Sequence, residues 1–307
     1  KKYGADVMYT EFVSSEALVR DIEKTKQKMN LFDFDRPVAI QIYGHNINSM
    51  VRAAQVAEEA EPDFIDINFG CPMKKIVRHG AGAAMLKDLP KMQEMAAEIV
   101  KAVSLPVTAK TRLGWTESDK PIVEAAERLQ DAGITALAIH GRTREQLYTG
   151  KADWTLIAEV KNNPKISIPI IGNGDINSAE KAKQFLDETG VDALMLGRGA
   201  IGRPWLFKEI KHFLETGELI PFPTVTEVVD VLREQIRLNL EWRDNERVGI
   251  LMLRRHFAKY FPGLSNFRDL KIKLLRADTS DEVHEILAKI VTVYGDYQLD
   301  YSNASLR

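Results

Sequence analysis

Short runs rich in Val, Ile and Ala recur along the chain, each followed by a longer stretch whose apolar residues return every three or four positions. The runs are Val7–Glu11, Val38–Tyr43, Phe64–Asn68, Val107–Arg112, Ala136–His140, Ile168–Asn173 and Ala193–Gly197. Their starts lie 25 to 43 residues apart, the length of one strand–helix unit. Helix start signals stand between them. Asn46 precedes an apolar-periodic run, Asp88 precedes Leu89-Pro90, and Asn177 with Glu180 has capping-box spacing. Nearly continuous apolar strands such as Ala193-Leu194-Met195-Leu196 predict a parallel sheet covered by helices on its faces.

Seven such units are one short of an eight-stranded barrel. The chain opens in Lys1-Lys2-Tyr3-Gly4, which reads as the last turn of a helix and its glycine stop, so an upstream segment is expected to supply the eighth unit. Polar residues and glycines gather at the C-terminal ends of the strands: Asn68-Phe69-Gly70-Cys71, Lys110-Thr111-Arg112, His140-Gly141-Arg142, Asn173-Gly174-Asp175 and Gly197-Arg198. Loops on that rim of a barrel converge on one mouth, whereas a doubly wound sheet gathers its site at a single switch point. Five polar strand ends therefore predict an α/β fold, a (β/α)8 TIM barrel over residues 1–223 with its first strand upstream of residue 1. After Pro221-Phe222-Pro223 the pattern turns wholly helical. Thr224 with Glu227 and Thr279 with Glu282 have capping-box spacing, and residues 224–307 are expected to form a separate bundle of about four helices.

Composition narrows the function classes. Among 307 residues, 42 Lys and Arg face 44 Asp and Glu, so an anionic partner must be met by a local patch. A single cysteine, Cys71, excludes an intramolecular disulfide and any multi-cysteine zinc site. No run approaches the length of a membrane-spanning helix, and the first residues lack the apolar core of a signal peptide. A reducing cytoplasm is the expected compartment.

Gly197-Arg198-Gly199-Ala200-Ile201-Gly202 matches a dinucleotide fingerprint, but it closes its domain instead of opening one. In a barrel these glycines fit better as a phosphate cup with exposed backbone N–H groups, or simply as tight strand–helix packing. Lys110 ends its strand, where a lysine aimed into a barrel mouth must meet an anion or an electron-rich oxygen. A flavin ring is one such partner and a Schiff base is another. His140 lies at the same rim, as a site residue or as a satisfied core histidine. Cys71 stands where a strand breaks into a loop made basic by Lys74, Lys75, Arg78 and His79 and hinged by Gly80-Ala81-Gly82. A lone cysteine is usually a small buried hydrophobe, but an electropositive, partly exposed one is the reactive kind, serving as nucleophile or as acid.

Asp66-Ile67-Asn68-Phe69-Gly70-Cys71-Pro72 followed by Gly80-Ala81-Gly82-Ala83-Ala84 resembles the signature of tRNA-dihydrouridine synthases. Lys110-Thr111-Arg112-Leu113-Gly114-Trp115, His140-Gly141-Arg142-Thr143, Gly172-Asn173-Gly174-Asp175-Ile176 and Gly197-Arg198-Gly199-Ala200 resemble that family in its chain order. With Gly202-Arg203-Pro204-Trp205 and Leu253-Arg254-Arg255-His256-Phe257, the pattern is most similar to the bacterial B-type subgroup, from residue 4 to about residue 294.

The resemblance implies an FMN-bearing barrel with a helical C-terminal domain, reducing specific tRNA uridines to dihydrouridine with NADPH as electron donor. It implies that Gln41 and Lys110 contact the flavin ring, that His140 lies beside the cofactor, and that Asn173, Gly174, Asp175, Gly197 and Arg198 hold its ribityl phosphate end. Cys71 becomes the proton donor. Asn68 and Arg142 become substrate contacts. The family's Pro-Met-Ala flavin-binding segment on the first strand is absent from this sequence. No metal is implied, nor any membrane, and the protein is expected to act as a monomer.

The tail would bind the RNA. Residues 247–276 carry eight basic side chains and one acidic, with Arg254, Arg255 and Lys271 as candidate phosphate contacts. A solvated helix face is the plainer reading of such a run. Two other functions stay open at this point: a flavin barrel acting on a free pyrimidine or an enone, and a non-catalytic RNA-binding relative.

Overall fold

A computed structural model describes residues 1–20, 22–243 and 245–301. The chain divides into two compact units, one made of Lys1–Ile176 with Glu180–Gly197 and the other of Asn177–Ala179 with Arg198–Arg307.

The first unit is built on one parallel sheet. Its strands are β1 (Met8–Tyr9), β2 (Val13–Ser14), β3 (Val38–Tyr43), β4 (Phe64–Asn68), β5 (Val107–Arg112), β6 (Leu137–His140), β7 (Ile170–Asn173) and β8 (Ala193–Met195). From β3 onward they pair in sequence order, and β1 and β2 both pair with β3. Of the run expected at Val7–Glu11 only Met8–Tyr9 is strand, and a second short piece that was not expected, Val13–Ser14, pairs further along the same neighbour. The break has a local cause: the Thr10 hydroxyl accepts from Gln41 N at 3.3 Å and takes over a ladder position. Helices α1 (Ile47–Glu58), α2 (Leu89–Ala102), α3 (Ile122–Asp131), α4 (Thr155–Lys161) and α5 (Ala179–Thr189) follow successive strands. Parallel strands in sequence order, with a helix after each from β3 onward, make the (β/α)8-barrel-like architecture. β1 and β8 are the edges of the sheet among the described residues.

Alternation along the strands sorts the core. Ile40, Ile42, Ile65, Ile67, Leu137 and Ile139 are fully buried, and Met50, Ala53, Ala57, Met95 and Ile99 fill the same layer from α1 and α2. The opposite strand face carries Gln41, Asp66, Asn68, Thr108 and Lys110, polar residues that the helices do not cover. Asn46 and Asp88 cap α1 and α2 by accepting from Ser49 N and Lys91 N. The cap expected at Asn177 does not form. α5 begins at Ala179, and the Asn177 side-chain oxygen is buried without a hydrogen bond.

The second unit holds α6 (Leu206–Thr216), α7 (Val225–Glu241), α8 (Glu246–Tyr260), α9 (Arg268–Arg276) and α10 (Ser280–Tyr294). Thr224 with Glu227 and Thr279 with Glu282 each make the full reciprocal capping box. The Pro221–Pro223 segment is tied into this unit. Phe222 and Tyr301 lie on the Arg203 guanidinium, which is ion-paired with buried Glu209.

Candidate active site

The strand register brings the polar rim residues into two levels. Gln41, Asp66 and Thr108 are partners on adjacent strands, as are Asn68, Lys110 and Ala138 one step further toward the C-terminal ends. Beyond them Arg112, His140, Asn173 and Met195 continue around the rim as successive partners.

Cys71 follows β4 in a turn that Asn68 holds. The Asn68 side-chain oxygen accepts from Gly70 N at 3.0 Å and from Cys71 N at 2.9 Å. Arg112 clamps the same turn, its Nε donating to Gly70 O at 2.8 Å while Nη1 reaches the carbonyls of Thr143 and Leu147. The loop then returns on itself. Ala83 N donates to Cys71 O, and Gly82, at φ +60°, passes so close that a Cβ there would meet Cys71 O at 2.7 Å. No larger side chain fits that return.

Cys71 itself is 7% exposed, not part-exposed as the loop sequence implied. Lys74, Lys75, Arg78 and His79 face solvent on and after a short helix, Lys74–Val77. Burial outweighs the positive charges of Arg112 and Lys110 and pushes the thiol above its usual value. This cysteine is a protonated thiol at neutral pH, a group that gives a proton more readily than it attacks.

Lys110 stands on the next strand, largely desolvated. Burial, with the Arg112 charge behind it, brings its ammonium down to about 8, and the Asp66 charge opposes that fall. Among the described residues its ammonium has neither a hydrogen-bond nor an ion-pair partner. Asp66 is fully buried and is pushed up to about 6 by desolvation, against hydrogen bonds from Thr108 and Gln41.

On the far side of the rim Arg142 is 2% exposed. Its guanidinium makes a two-pronged ion pair with Asp175, both bonds at 2.8 Å, and donates to the carbonyls of Thr149 and Gly150. The second Asp175 oxygen also accepts from Ala152 N. This pair, expected from the resemblance to touch substrate and cofactor, thus ties the β6 loop to the β7 loop. His140 lies beside it, 6% exposed, its Nε2 at 3.4 Å from an Arg142 nitrogen. Asn173 reaches Met195 O on β8 at 2.7 Å. Gly174 carries φ +132°, and a Cβ there would strike Ala152 at 2.7 Å, so its glycine answers to packing. A Cβ on Gly197 would meet nothing within 4 Å, which leaves that strand end open.

Arg198 opens the second unit in a 3-10 turn, Arg198–Ala200. In the tail, Arg254 donates to the carbonyls of Arg276 and Ala277 at the end of α9 and to Asp278, at 2.6 to 3.2 Å. Arg255, Lys271 and Lys273 are exposed. Asp66, Thr108 and the clamp made by Arg112 were not singled out from the sequence. Their signal was there: Asp66 with Asn68, and Thr108 with Lys110, are polar residues two apart on otherwise apolar strands and so share a face. The described residues hold no cluster of His, Cys, Asp and Glu able to bind a metal, and no described helix is long and apolar enough to cross a membrane.

Comparison with known proteins gives a consistent result. The family model for dihydrouridine synthase (Dus) matches residues 1–293. The chain is 39% identical over 282 residues to tRNA-dihydrouridine synthase B of Pseudomonas aeruginosa, covering 92% of this chain and 84% of that protein. It is 41% identical over 259 residues to the protein of the same name from Shewanella oneidensis, covering 84% and 80%. It is 38% identical over 296 residues to a probable tRNA-dihydrouridine synthase 1 of Synechocystis sp., covering 95% and 81%. With the strand order, the Cys71 turn and the match over nearly its whole length in agreement, this chain belongs to the dihydrouridine synthase family.

Proposed function

We propose that this protein reduces the C5–C6 double bond of uridine in tRNA, with FMN bound at the barrel rim and NADPH as the reductant. The observation that carries the reading is Cys71: a buried thiol kept protonated, in a turn fixed by Asn68 and Arg112, next to a strand carrying Lys110, whose ammonium has no hydrogen-bond or ion-pair partner among the described residues.

The residues present fit a flavin. A desolvated ammonium that no carboxylate touches is costly even with the Asp66 charge nearby, and an electron-rich ring placed against Lys110 relieves that cost. The open backbone at Gly197 can receive a phosphate without meeting a side chain. Gln41, His140 and Asn173 stand on the same rim, with one N–H of the Gln41 amide still available. Held by Lys110, Gln41, His140, Asn173 and the Gly197 backbone, an FMN reduced by NADPH would supply a hydride for C6 of the base.

The chain's own part is to place the base and provide the proton. Asn68 has both oxygen lone pairs engaged and one N–H given to Gln41, at 2.7 Å, so its other N–H, which has no partner among the described residues, can meet a uracil carbonyl. Cys71 then gives its proton to C5. A base inside a stack cannot reach such a site, so the uridine must be turned out of the RNA. The exposed basic side chains Arg255, Lys271 and Lys273 are the phosphate contacts of the tail in this reading, with Arg254 holding the end of α9. An enzyme on tRNA with one free thiol would work in the cytoplasm, and as a monomer.

Stopped-flow kinetics of the two half-reactions tests this. Purified protein should carry flavin absorbance and should act on tRNA but not on free uridine. Cys71→Ala should leave reduction of the flavin by NADPH nearly intact and slow tRNA reduction by roughly 10²–10⁴, the usual worth of a positioned general acid. Equal loss in both steps, or protein that neither holds nor binds FMN, rejects the proposal.

A further inference from the structure

The carboxylate of Asp66 has no part in the chemistry above, yet it is fully buried and begins a chain of hydrogen bonds that ends at Cys71. Thr108 Oγ1 donates to Asp66 Oδ1 at 2.6 Å and Gln41 Nε2 donates to Asp66 Oδ2 at 2.6 Å. Asn68 Nδ2 donates to Gln41 Oε1 at 2.7 Å, and Gly70 N and Cys71 N donate to Asn68 Oδ1.

Both ends of this chain are single-valued. Backbone N–H groups can only donate, so Asn68 must turn its oxygen toward the Cys71 turn and its nitrogen toward Gln41. An ionised carboxylate can only accept, so Gln41 must turn its nitrogen toward Asp66 and its oxygen toward Asn68. The two amides between them have one satisfied orientation. With Asp66 replaced by an apolar side chain, the Gln41 nitrogen is buried without an acceptor and its amide has reason to turn away from Asn68.

We propose that Asp66 is a positioning residue for the reaction: through the amides of Gln41 and Asn68 it holds the Gly70–Cys71 turn in the orientation from which Cys71 donates. This rests on Cys71 as the proton donor. The groups around Asp66 agree with the assignment. Lys110 lies on the adjacent strand and favours its charge, and Tyr9 on β1 is kept firmly protonated by burial and by the Asp66 charge. Raised only to about 6, the carboxyl is ionised and acceptor-only at neutral pH.

Asp66→Asn and Asp66→Leu separate the idea from simple packing. Asparagine can turn its oxygen to Gln41 and its nitrogen to the Thr108 hydroxyl, which accepts as readily as it donates, so the chain of bonds survives. Leucine offers no acceptor. Two readouts are needed, hydrogen exchange of the Gly70 and Cys71 amides in the unliganded protein and the rate of tRNA reduction by the pre-reduced enzyme. Asp66→Leu should speed exchange at both amides about tenfold and lower kcat for tRNA by about 10–10², with KM little changed, whereas Asp66→Asn stays within about threefold of wild type in both.

Equal damage in both variants, or none in either, overturns the proposal. Faster exchange with unchanged tRNA reduction also overturns it, since the hold on the turn then does not serve the reaction; whether Cys71 is the donor is decided separately by Cys71→Ala. If the leucine variant does not fold, the wild-type protein decides. One proton on each of the Gln41 and Asn68 side-chain amides should be shifted downfield in NMR spectra and resist exchange, and freely exchanging amides overturn the proposal.

Discussion

Lys110 makes two pH dependences of opposite sign. Its ammonium loses its proton near 8 in the folded chain, against 10.5 when the chain is unfolded and the side chain solvated, so the folded chain holds fewer protons between those values. Burying the charge costs stability below pH about 8, and unliganded protein should become more stable as pH rises toward 10.5. An anion bound to Lys110 needs the proton, so FMN affinity should fall by up to about tenfold per pH unit above pH 8. Lys110→Met should flatten both curves, as melts and flavin titrations between neutrality and pH about 9 would show. An unchanged affinity profile in that variant would remove Lys110 from the flavin site. Such behaviour was half legible beforehand. A strand-end lysine could be read off the sequence, and so could Cys71 and Asn68. What depends on distance could not be. Arg142 and Asp175 are 33 residues apart and find each other only through the β6–β7 register. The thiol's burial likewise follows from Gly82 folding back over Cys71, a contact that no local pattern announces.

Strands and helices were more legible than side-chain partners, because period and caps are local. β3, β4 and β5 occupy the runs expected of them, and both tail capping boxes form. The misses are where a side chain replaces the backbone, as Thr10 does beside Gln41. Arg254 is the same lesson on a helix. Counted as part of a basic run, it instead satisfies the carbonyls at the end of α9, which lack partners within their own helix. Arg254→Gln should therefore cost about 1–3 kcal/mol of stability, the worth of hydrogen bonds from a charged donor to part-buried acceptors. Exchange should rise at the α9 amides first. A melt unchanged from wild type, with weakened tRNA binding, would return Arg254 to the RNA contacts.

At the scale of the whole chain the charges nearly cancel, 42 basic against 44 acidic, so attraction to RNA must come from where the basic ones are concentrated. Residues 247–276 hold eight basic and one acidic side chain, and Arg255, Lys271 and Lys273 are exposed there. Contacts to phosphate release counterions, and each contributes about 0.9 to the slope of log K against log salt on a duplex stem. Replacing Arg255, Lys271 and Lys273 together by glutamine should weaken tRNA binding and lower that slope by about two to three units. Thermal stability should hold, since none of the three is buried. Flavin content should hold as well, because its proposed contacts Gln41, Lys110, His140, Asn173 and Gly197 all belong to the first unit. Arg254→Gln, measured in parallel, should do the reverse and lower the melting temperature while leaving the slope alone. Affinities at several salt concentrations, set beside melts of the same samples, distinguish the two. A slope unchanged in the triple variant would mean that these charges are a solvated helix face and that tRNA is held elsewhere.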